Sequence, residues 1–178
     1  MLQNLEKAVD GCNIENKEEL TKFVIVGGGP AGVEMAGSLA EFKKFLLNSD
    51  YPEIDPNSMR IYLVQSANRI LPSMSEKSSK HALKSLKNLE VEVLLNSRVK
   101  DYDGRSLTIS QKGGEHTIFT NTVIWTAGVK GNVLAGIPEA AIVPGNRLKV
   151  NLNSQLEGLE NVYAIGDVAA MITDDNPR

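Results

Sequence analysis

Three glycines near the start of the chain have the spacing that lets a backbone turn approach a phosphate. Gly27, Gly29 and Gly32 occupy the glycine places of G-x-G-x-x-G, directly after the apolar run 23–26 and before a helix-forming segment. In this pattern the first glycine permits a tight turn, the second lets the backbone approach a pyrophosphate, and the third lets the helix pack closely on the strand. The helix then offers free N–H groups and the positive end of its dipole to the phosphates, which predicts a dinucleotide site; the alternative is a glycine-rich turn that binds nothing. The other cofactor-binding residues predicted in this turn are Gly28, Pro30 and Ala31.

The end of the second predicted strand is where the adenosine ribose of such a cofactor should lie. An acidic residue at this place accepts hydrogen bonds from both ribose hydroxyls and repels a 2′-phosphate. Here the residue is Gln65, which can bond to a hydroxyl but carries no charge. Arg69, four residues on, could pair with a 2′-phosphate, and the alternative is that it is a solvated loop cation. We therefore predict that this site discriminates against NADPH less strongly than a site with an acid.

Two further positions are candidates for the nicotinamide end of the cofactor. Glu34 lies one turn into the first helix, and we predict that it is a catalytic and cofactor-binding residue beside the reacting ring; its alternative role is a charge favourable near a helix N-terminus. Thr126, Ala127 and Gly128 follow the strand that ends in Trp125. Small residues there would let the backbone contact a flat ring or a carboxamide, and the alternative is a plain turn.

A second set of candidates stands near the end of the sequence. A buried strand is predicted at Val162–Ile165, followed by Gly166, Asp167 and a helix-like start. Asp167 could cap that helix, or it could bind a polyol hydroxyl of a flavin. The spacing leaves both interpretations open.

Composition excludes several other classes of function. The chain of 178 residues has 19 basic and 22 acidic residues, for a net charge of −3, and no basic stripe with interleaved aromatics, so we predict no nucleic-acid partner. Cys12 is the only cysteine, which excludes an intramolecular disulfide and a cysteine-based zinc site. His81 and His116 stand far apart, and we predict no metal site. No signal peptide or membrane-spanning apolar run is present, so we predict a soluble cytoplasmic chain.

The elements that position these residues predict an α/β fold. The order β-α-β-α-β is followed by an antiparallel meander in place of a crossover helix, which predicts a Rossmann-like parallel sheet with an antiparallel β-meander crossover, in three layers, plus short C-terminal strands. The predicted helices run from Pro30 to about Leu47 and from about Ser75, the predicted N-cap, to about Leu89. Residues 48–59 are a predicted loop, and residues 129–146 are predicted to be rich in loops. The predicted strands are Lys22–Val26, Arg60–Val64, Val91–Leu95, Arg98–Tyr102, Ser106–Ser110, Thr117–Phe119, Thr122–Trp125, Leu148–Val150 and Val162–Ile165.

Three segments, residues 24–37, 123–129 and 163–167, together resemble the flavoprotein oxidoreductases of the pyridine nucleotide-disulfide oxidoreductase superfamily. The sequences of these segments are most similar to those of type II NADH:quinone oxidoreductases, the single-subunit NADH dehydrogenases. The resemblance covers residues 22–170. It implies that FAD takes hydride from NAD(P)H and passes electrons to a membrane quinone of the respiratory chain. It also implies that Glu34 lies near the nicotinamide and the flavin, and that Asp167, with Gly166, binds FAD.

The chain is predicted to contain three segments, and its sequence departs from the family's pattern at several points. Apolar residues at helical spacing, Leu2, Leu5, Ala8 and Val9, predict a lead-in helix within residues 1–20, and residues 13–19 are a predicted linker. The resemblance implies an NAD(P)H-binding Rossmann domain at 21–146 and a partial FAD-domain return segment at 147–178. The family has two dinucleotide fingerprints, a C-terminal membrane-anchoring segment and usually an acid where Gln65 stands, whereas one fingerprint is found here. We therefore expect a piece of a longer enzyme whose partners are the rest of its own FAD domain and, at the cytoplasmic membrane, a quinone. As an isolated chain it should bind nucleotide and turn over poorly or not at all.

Two alternatives remain open on the sequence alone. One is the NAD(P)H domain of a ferredoxin- or rubredoxin-type flavoprotein reductase, which has the same architecture and a different electron acceptor. The other is a stand-alone nucleotide-binding module.

Overall fold

In the computed structural model, residues 2–10, 17–45 and 47–171 are described, and the chain divides into two compact units. Unit 1 is Met1–Ala127 and unit 2 is Gly128–Arg178. Cys12 lies outside the described residues, as does most of the linker that the sequence predicts after the lead-in helix.

The elements follow the chain in this order. The helices are α1 (Leu2–Asp10), α2 (Lys17–Leu20), α3 (Pro30–Phe45), α4 (Leu47–Asp50) and α5 (Glu76–Asn88). The strands of unit 1 are β1 (Lys22–Val26), β2 (Arg60–Val64), β3 (Glu92–Leu94), β4 (Arg98–Tyr102), β5 (Ser106–Gln111), β6 (Gly114–Phe119) and β7 (Thr122–Trp125). The strands of unit 2 are β8 (Ile142–Val143), β9 (Arg147–Val150) and β10 (Ala169–Met171). Short 3₁₀ turns stand at Pro56–Ser58, Glu139–Ala141 and Gly166–Val168.

Unit 1 is built in three layers around a parallel sheet with the strand order β3-β2-β1-β7. Successive side chains of β1 point to opposite faces: Phe23 and Ile25 pack with the helices, while Val24 packs with the meander. A strand that is covered on both faces has no polar side, which is why β1 is a continuous apolar run. The predicted three-layer α/β fold is confirmed.

The third layer is the antiparallel sheet β4-β5-β6. Its central strand buries Leu107 and Ile109 against the parallel sheet. The β4–β5 turn is closed by Asp103, whose carboxylate accepts hydrogen bonds from the N–H groups of Arg105 (2.8 Å) and Ser106 (2.7 Å) and from the Ser106 hydroxyl. These bonds lower the pKa of Asp103 from its ordinary value to about 2, the Ser106 hydroxyl being the largest cause.

Most predicted boundaries in unit 1 are confirmed. The strands β1, β2, β4 and β7 have the predicted ends, and α5 begins after the predicted N-cap Ser75, whose Oγ accepts from Ser78 N–H at 3.1 Å. The loop predicted at 48–59 is partly wrong, because it contains the end of α4 and a 3₁₀ turn capped by Asp55. Likewise, α2 occupies part of the predicted linker. Elements of one turn are too short to show a hydrophobic period.

Unit 2 is organised around its own apolar cluster, and here the sequence predictions fail more often. Residues 162–165 are not a strand: Tyr163 makes an isolated bridge with Gln155. The helix-like start after Gly166 is a single 3₁₀ turn that leads directly into β10. The division between the units follows Ala127, and β8 belongs to unit 2 through its pairing with β9. The functional domains assigned to the segments stay a prediction.

Candidate functional site

The glycine turn between β1 and α3 is too crowded for side chains at its first and last glycine. Gly27 has a backbone φ of +115°, and a Cβ atom built on it would lie 2.9 Å from the Ala127 nitrogen. A Cβ atom on Gly32 would lie 1.8 Å from the Gly27 carbonyl oxygen. This closeness is what brings the first turn of α3 against the end of β1, as the spacing of the glycines predicts.

The middle glycine, Gly29, faces open space instead. A Cβ atom built there meets no described atom within 4 Å. Its carbonyl accepts from Val33 N–H at 3.0 Å and so begins α3. The next N–H groups, on Ala31 and Gly32, belong to the first helical turn and have no partner within the helix, while Pro30 has no N–H to leave unsatisfied. The turn therefore offers an open space lined by free amides at the positive end of a helix, which fits a diphosphate.

Gln65 lies directly against this turn. Its Oε1 accepts a hydrogen bond from Gly28 N–H at 3.0 Å, and its Nε2 donates to the carbonyl of Arg69 at 3.3 Å. The guanidinium of Arg69 donates to the carbonyls of Pro72 (2.6 Å) and Met74 (3.0 Å). Arg69 is thus bonded within its own loop, which differs from a solvated cation. Its pairing with a 2′-phosphate stays a prediction.

A groove of about 240 Å³ opens at the carboxyl ends of the parallel strands. Gly27, Gln65, Trp125 and Ala127 are among the residues that line it, together with the start of β4. In open α/β sheets, ligands bind at the carboxyl ends of the strands where the strand order reverses. The groove therefore stands where a nucleotide is expected.

The residues after β7 are bonded to the glycine turn and to one another. The Thr126 hydroxyl donates to the carbonyls of Val26 (2.9 Å) and Gly27 (3.2 Å). The Trp125 Nε1–H donates to the carbonyl of Ala127 at 2.8 Å. Gly128, with a φ of +72°, is the first residue of unit 2.

The remaining predicted site residues are exposed. Glu34 lies on the second turn of α3 and faces solvent, and its place beside a nicotinamide stays a prediction. In unit 2, Gly166 and Asp167 are also exposed. The helix-cap interpretation of Asp167 is wrong, because the short turn there is capped by Ile165 and receives no side-chain hydrogen bond.

Two residues at this site carry no recognisable sequence signal. Leu71 N–H donates to the Gly28 carbonyl at 2.6 Å, and Ile70 packs where a Gly28 side chain would be. Leu71 holds a φ of +49°, an uncommon conformation for a residue with a branched side chain. The buried Ser79 hydroxyl fixes this segment by donating to the Ile70 carbonyl at 2.7 Å. The contacts of Ile70 and Leu71 with Gly28 join residues about 40 positions apart, so no local pattern could reveal them.

The comparison with protein-family models matches residues 3–178 to the pyridine nucleotide-disulphide oxidoreductases. The chain belongs to this family. Among the residues that the structure describes, no group of His, Cys, Asp and Glu side chains could hold a metal ion, and no helix is long and apolar enough to cross a bilayer.

The chain is similar to type II NADH:quinone oxidoreductases and to NAD(P)H-ubiquinone oxidoreductases. The chain is 32% identical over 176 residues to the type II NADH:quinone oxidoreductase Ndh of Mycobacterium tuberculosis, covering 96% of this chain and 38% of that protein. It is 30% identical to the external alternative NAD(P)H-ubiquinone oxidoreductase B3 of Arabidopsis thaliana, covering 96% of this chain and 30% of the relative. The structure matches that of NDH2 from Plasmodium falciparum in complex with NADH with a TM-score of 0.82 and 29% identity, over 94% of this chain and 36% of the other. The predicted family resemblance is confirmed, and the chain spans well under half the length of these proteins.

Proposed function

We propose that this chain is the NAD(P)H-binding portion of a type II NADH:quinone oxidoreductase. The observation that carries the proposal is the open space in front of Gly29, directly before the first turn of α3, whose N–H groups have no partner within the helix. The relatives support it, since one is a type II NADH:quinone oxidoreductase and another was solved in complex with NADH.

In this proposal the residues of the chain bind and orient the nicotinamide nucleotide. The amides of Ala31 and Gly32 hold the diphosphate, Gln65 lies beside the adenosine ribose, and Ala127 and Gly128 border the nicotinamide. Glu34 would lie near the reacting ring, where its carboxylate orients the nucleotide.

FAD is the second cofactor that the family implies. When bound, FAD would accept the hydride of NADH and pass the electrons on to a quinone. Gly166 and Asp167 are the residues of this chain that we assign to its binding: both are exposed, and the Asp167 carboxylate is an acceptor suited to a polyol hydroxyl. We place the full-length enzyme at the cytoplasmic membrane as a peripheral protein.

The binding site is tested by substitution of the glycine that faces open space. Gly29→Ala should leave the fold intact, because the new methyl group meets no protein atom, yet it should weaken NADH binding at least about tenfold because it enters the space of the diphosphate. NADH titration followed by nucleotide fluorescence measures the effect.

The matched control is Gly37→Ala on the same helix, where a Cβ atom also meets nothing within 4 Å and α3 gains helix propensity. It should bind NADH as the unchanged protein does. Equal affinity of the Gly29→Ala variant, or a folded unchanged protein that does not bind NADH, would overturn the proposal.

A further inference from the structure

We infer that Thr126 is a positioning residue: its hydroxyl holds the glycine turn in the shape that receives the diphosphate, and it does not itself contact the nucleotide. This inference rests on the proposed function and goes beyond it, because the sequence pattern predicts Thr126 only as a contact for the nicotinamide end.

The Thr126 hydroxyl fills the space that two glycines leave empty. It lies 2.9 Å from the position of a Cβ atom on Gly27 and 2.8 Å from that of one on Gly32. From there it donates to the carbonyls of Val26 and Gly27, at 2.9 and 3.2 Å. The hydroxyl proton is therefore directed at the backbone of the turn.

The other side of the turn is held from β2. Gly28 N–H donates to Gln65 Oε1 at 3.0 Å, and its carbonyl accepts from Leu71 N–H at 2.6 Å. Gly28 is thus bonded through both of its backbone groups, and Thr126 supplies the corresponding bonds on the side of β7. Together these bonds fix the turn before a ligand arrives.

A fixed turn binds its ligand more tightly, because no conformational entropy is lost in ordering the turn when the ligand binds. Removal of one hydroxyl that bonds to two carbonyls should weaken binding by about three- to tenfold, the range expected for a single hydrogen bond. The effect should be the same for any ligand that carries the diphosphate, whether or not it carries a nicotinamide.

The test compares Thr126→Val, which keeps the side-chain shape without the hydroxyl, with Thr126→Ser, which keeps the hydroxyl. Calorimetric titration with NADH and with ADP-ribose, which has the diphosphate and lacks the nicotinamide, measures both affinities. We expect Thr126→Val to weaken the binding of both ligands equally, and we expect Thr126→Ser to bind both with the affinity of the unchanged protein. Thr122→Val, at the opposite end of β7, should bind both ligands as the unchanged protein does.

Two results would overturn the inference while leaving the proposed function intact. If Thr126→Val weakens NADH and leaves ADP-ribose unchanged, Thr126 contacts the nicotinamide directly; if it weakens neither ligand, the hydroxyl does not position the turn. Should the valine variant fail to fold, Thr126→Ala carries the same comparison. Failure of the unchanged, folded protein to bind either ligand is a failure of the proposed function instead.

Discussion

Gln65 is the residue at which this site departs most clearly from one built for NADH alone. Its side chain is neutral, and its Oε1 accepts a hydrogen bond from Gly28 N–H. An oxygen has a second lone pair, so Gln65 can still accept a bond from a ribose hydroxyl. What it lacks is the negative charge that would repel a 2′-phosphate.

We expect a preference for NADH over NADPH below about a hundredfold, and Gln65→Glu should raise that preference by about tenfold or more. A carboxylate keeps the acceptor for Gly28 N–H and adds like-charge repulsion against the 2′-phosphate. Titration of the unchanged protein and of the Gln65→Glu variant with NADH and with NADPH measures the ratio of the two affinities. Gln3→Glu adds the same charge on the exposed face of α1 and should leave the ratio unchanged; a preference in the unchanged protein above a hundredfold would contradict the prediction.

At the scale of single residues, the sequence predicts the conformations of the glycines well and the hydrogen bonds of the residues around them poorly. The conformations of Gly27 and Gly32 follow from a local pattern, because a residue without a side chain is required wherever backbone meets backbone. The bonds of Arg69 to its own loop and of Leu71 to Gly28 depend on how segments far apart in the sequence meet. Residue type and spacing contain no information about that geometry.

Among the elements, the meander is the feature that distinguishes unit 1 from a sheet with helices on both faces. It covers one face of the parallel sheet through Leu107 and Ile109, while the helices cover the other. Its turns and alternating residues made it predictable, as did the uninterrupted apolar runs of β1, β2 and β7. The segment 162–165 is also an uninterrupted apolar run, yet in the structure it forms only an isolated bridge between Tyr163 and Gln155. A short apolar run alone cannot show whether a partner strand exists.

The β4–β5 turn should make the fold sensitive to acid. The pKa of Asp103 is lowered to about 2 in the folded chain, so the ionised carboxylate stabilises the fold at pH values above its ordinary pKa of 3.8. This contribution is lost as the pH falls from 3.8 through about 2. Asp103→Ala should lower the urea midpoint at pH 7, and the difference from the unchanged protein should shrink below pH 4 and vanish near pH 2. Asp101→Ala, an exposed neighbour on β4, is the control; a difference that persists at pH 2 would show that the carboxylate charge is not responsible.

At the scale of the whole molecule, the described residues form three apolar clusters, each made of residues from one unit. Two clusters lie on the two faces of the parallel sheet in unit 1, and the third, around Leu148 and Val150, lies in unit 2. The sequence predicts the class of fold and the order of its elements. It gives no signal for β8, because that strand has only two residues and two residues show no hydrophobic period.

Separate cores predict separate responses to core substitutions. Val150 is 1% exposed, and Val150→Ala removes its two γ-methyl groups, which should lower the free energy of unfolding by about 2 kcal/mol through lost burial and the cavity that remains. Amide hydrogen exchange should then rise within residues 128–171 and stay unchanged in β1, β2 and β5. Leu107→Ala, in the meander cluster, should give the opposite distribution; if either variant raises exchange equally in both units, the cores are not independent.

The pairing of β7 with β1 also sets a condition on the synthesis of this protein. The Thr126 hydroxyl meets the carbonyl of Val26, a residue 100 positions earlier in the chain. A ribosome that has completed β1, α3, β2 and the following Gln65 has already made every glycine of the turn, yet the bonds from Thr126 are still missing. The nascent chain therefore cannot complete the turn until the end of β7 has left the exit tunnel, some hundred residues after the glycines themselves.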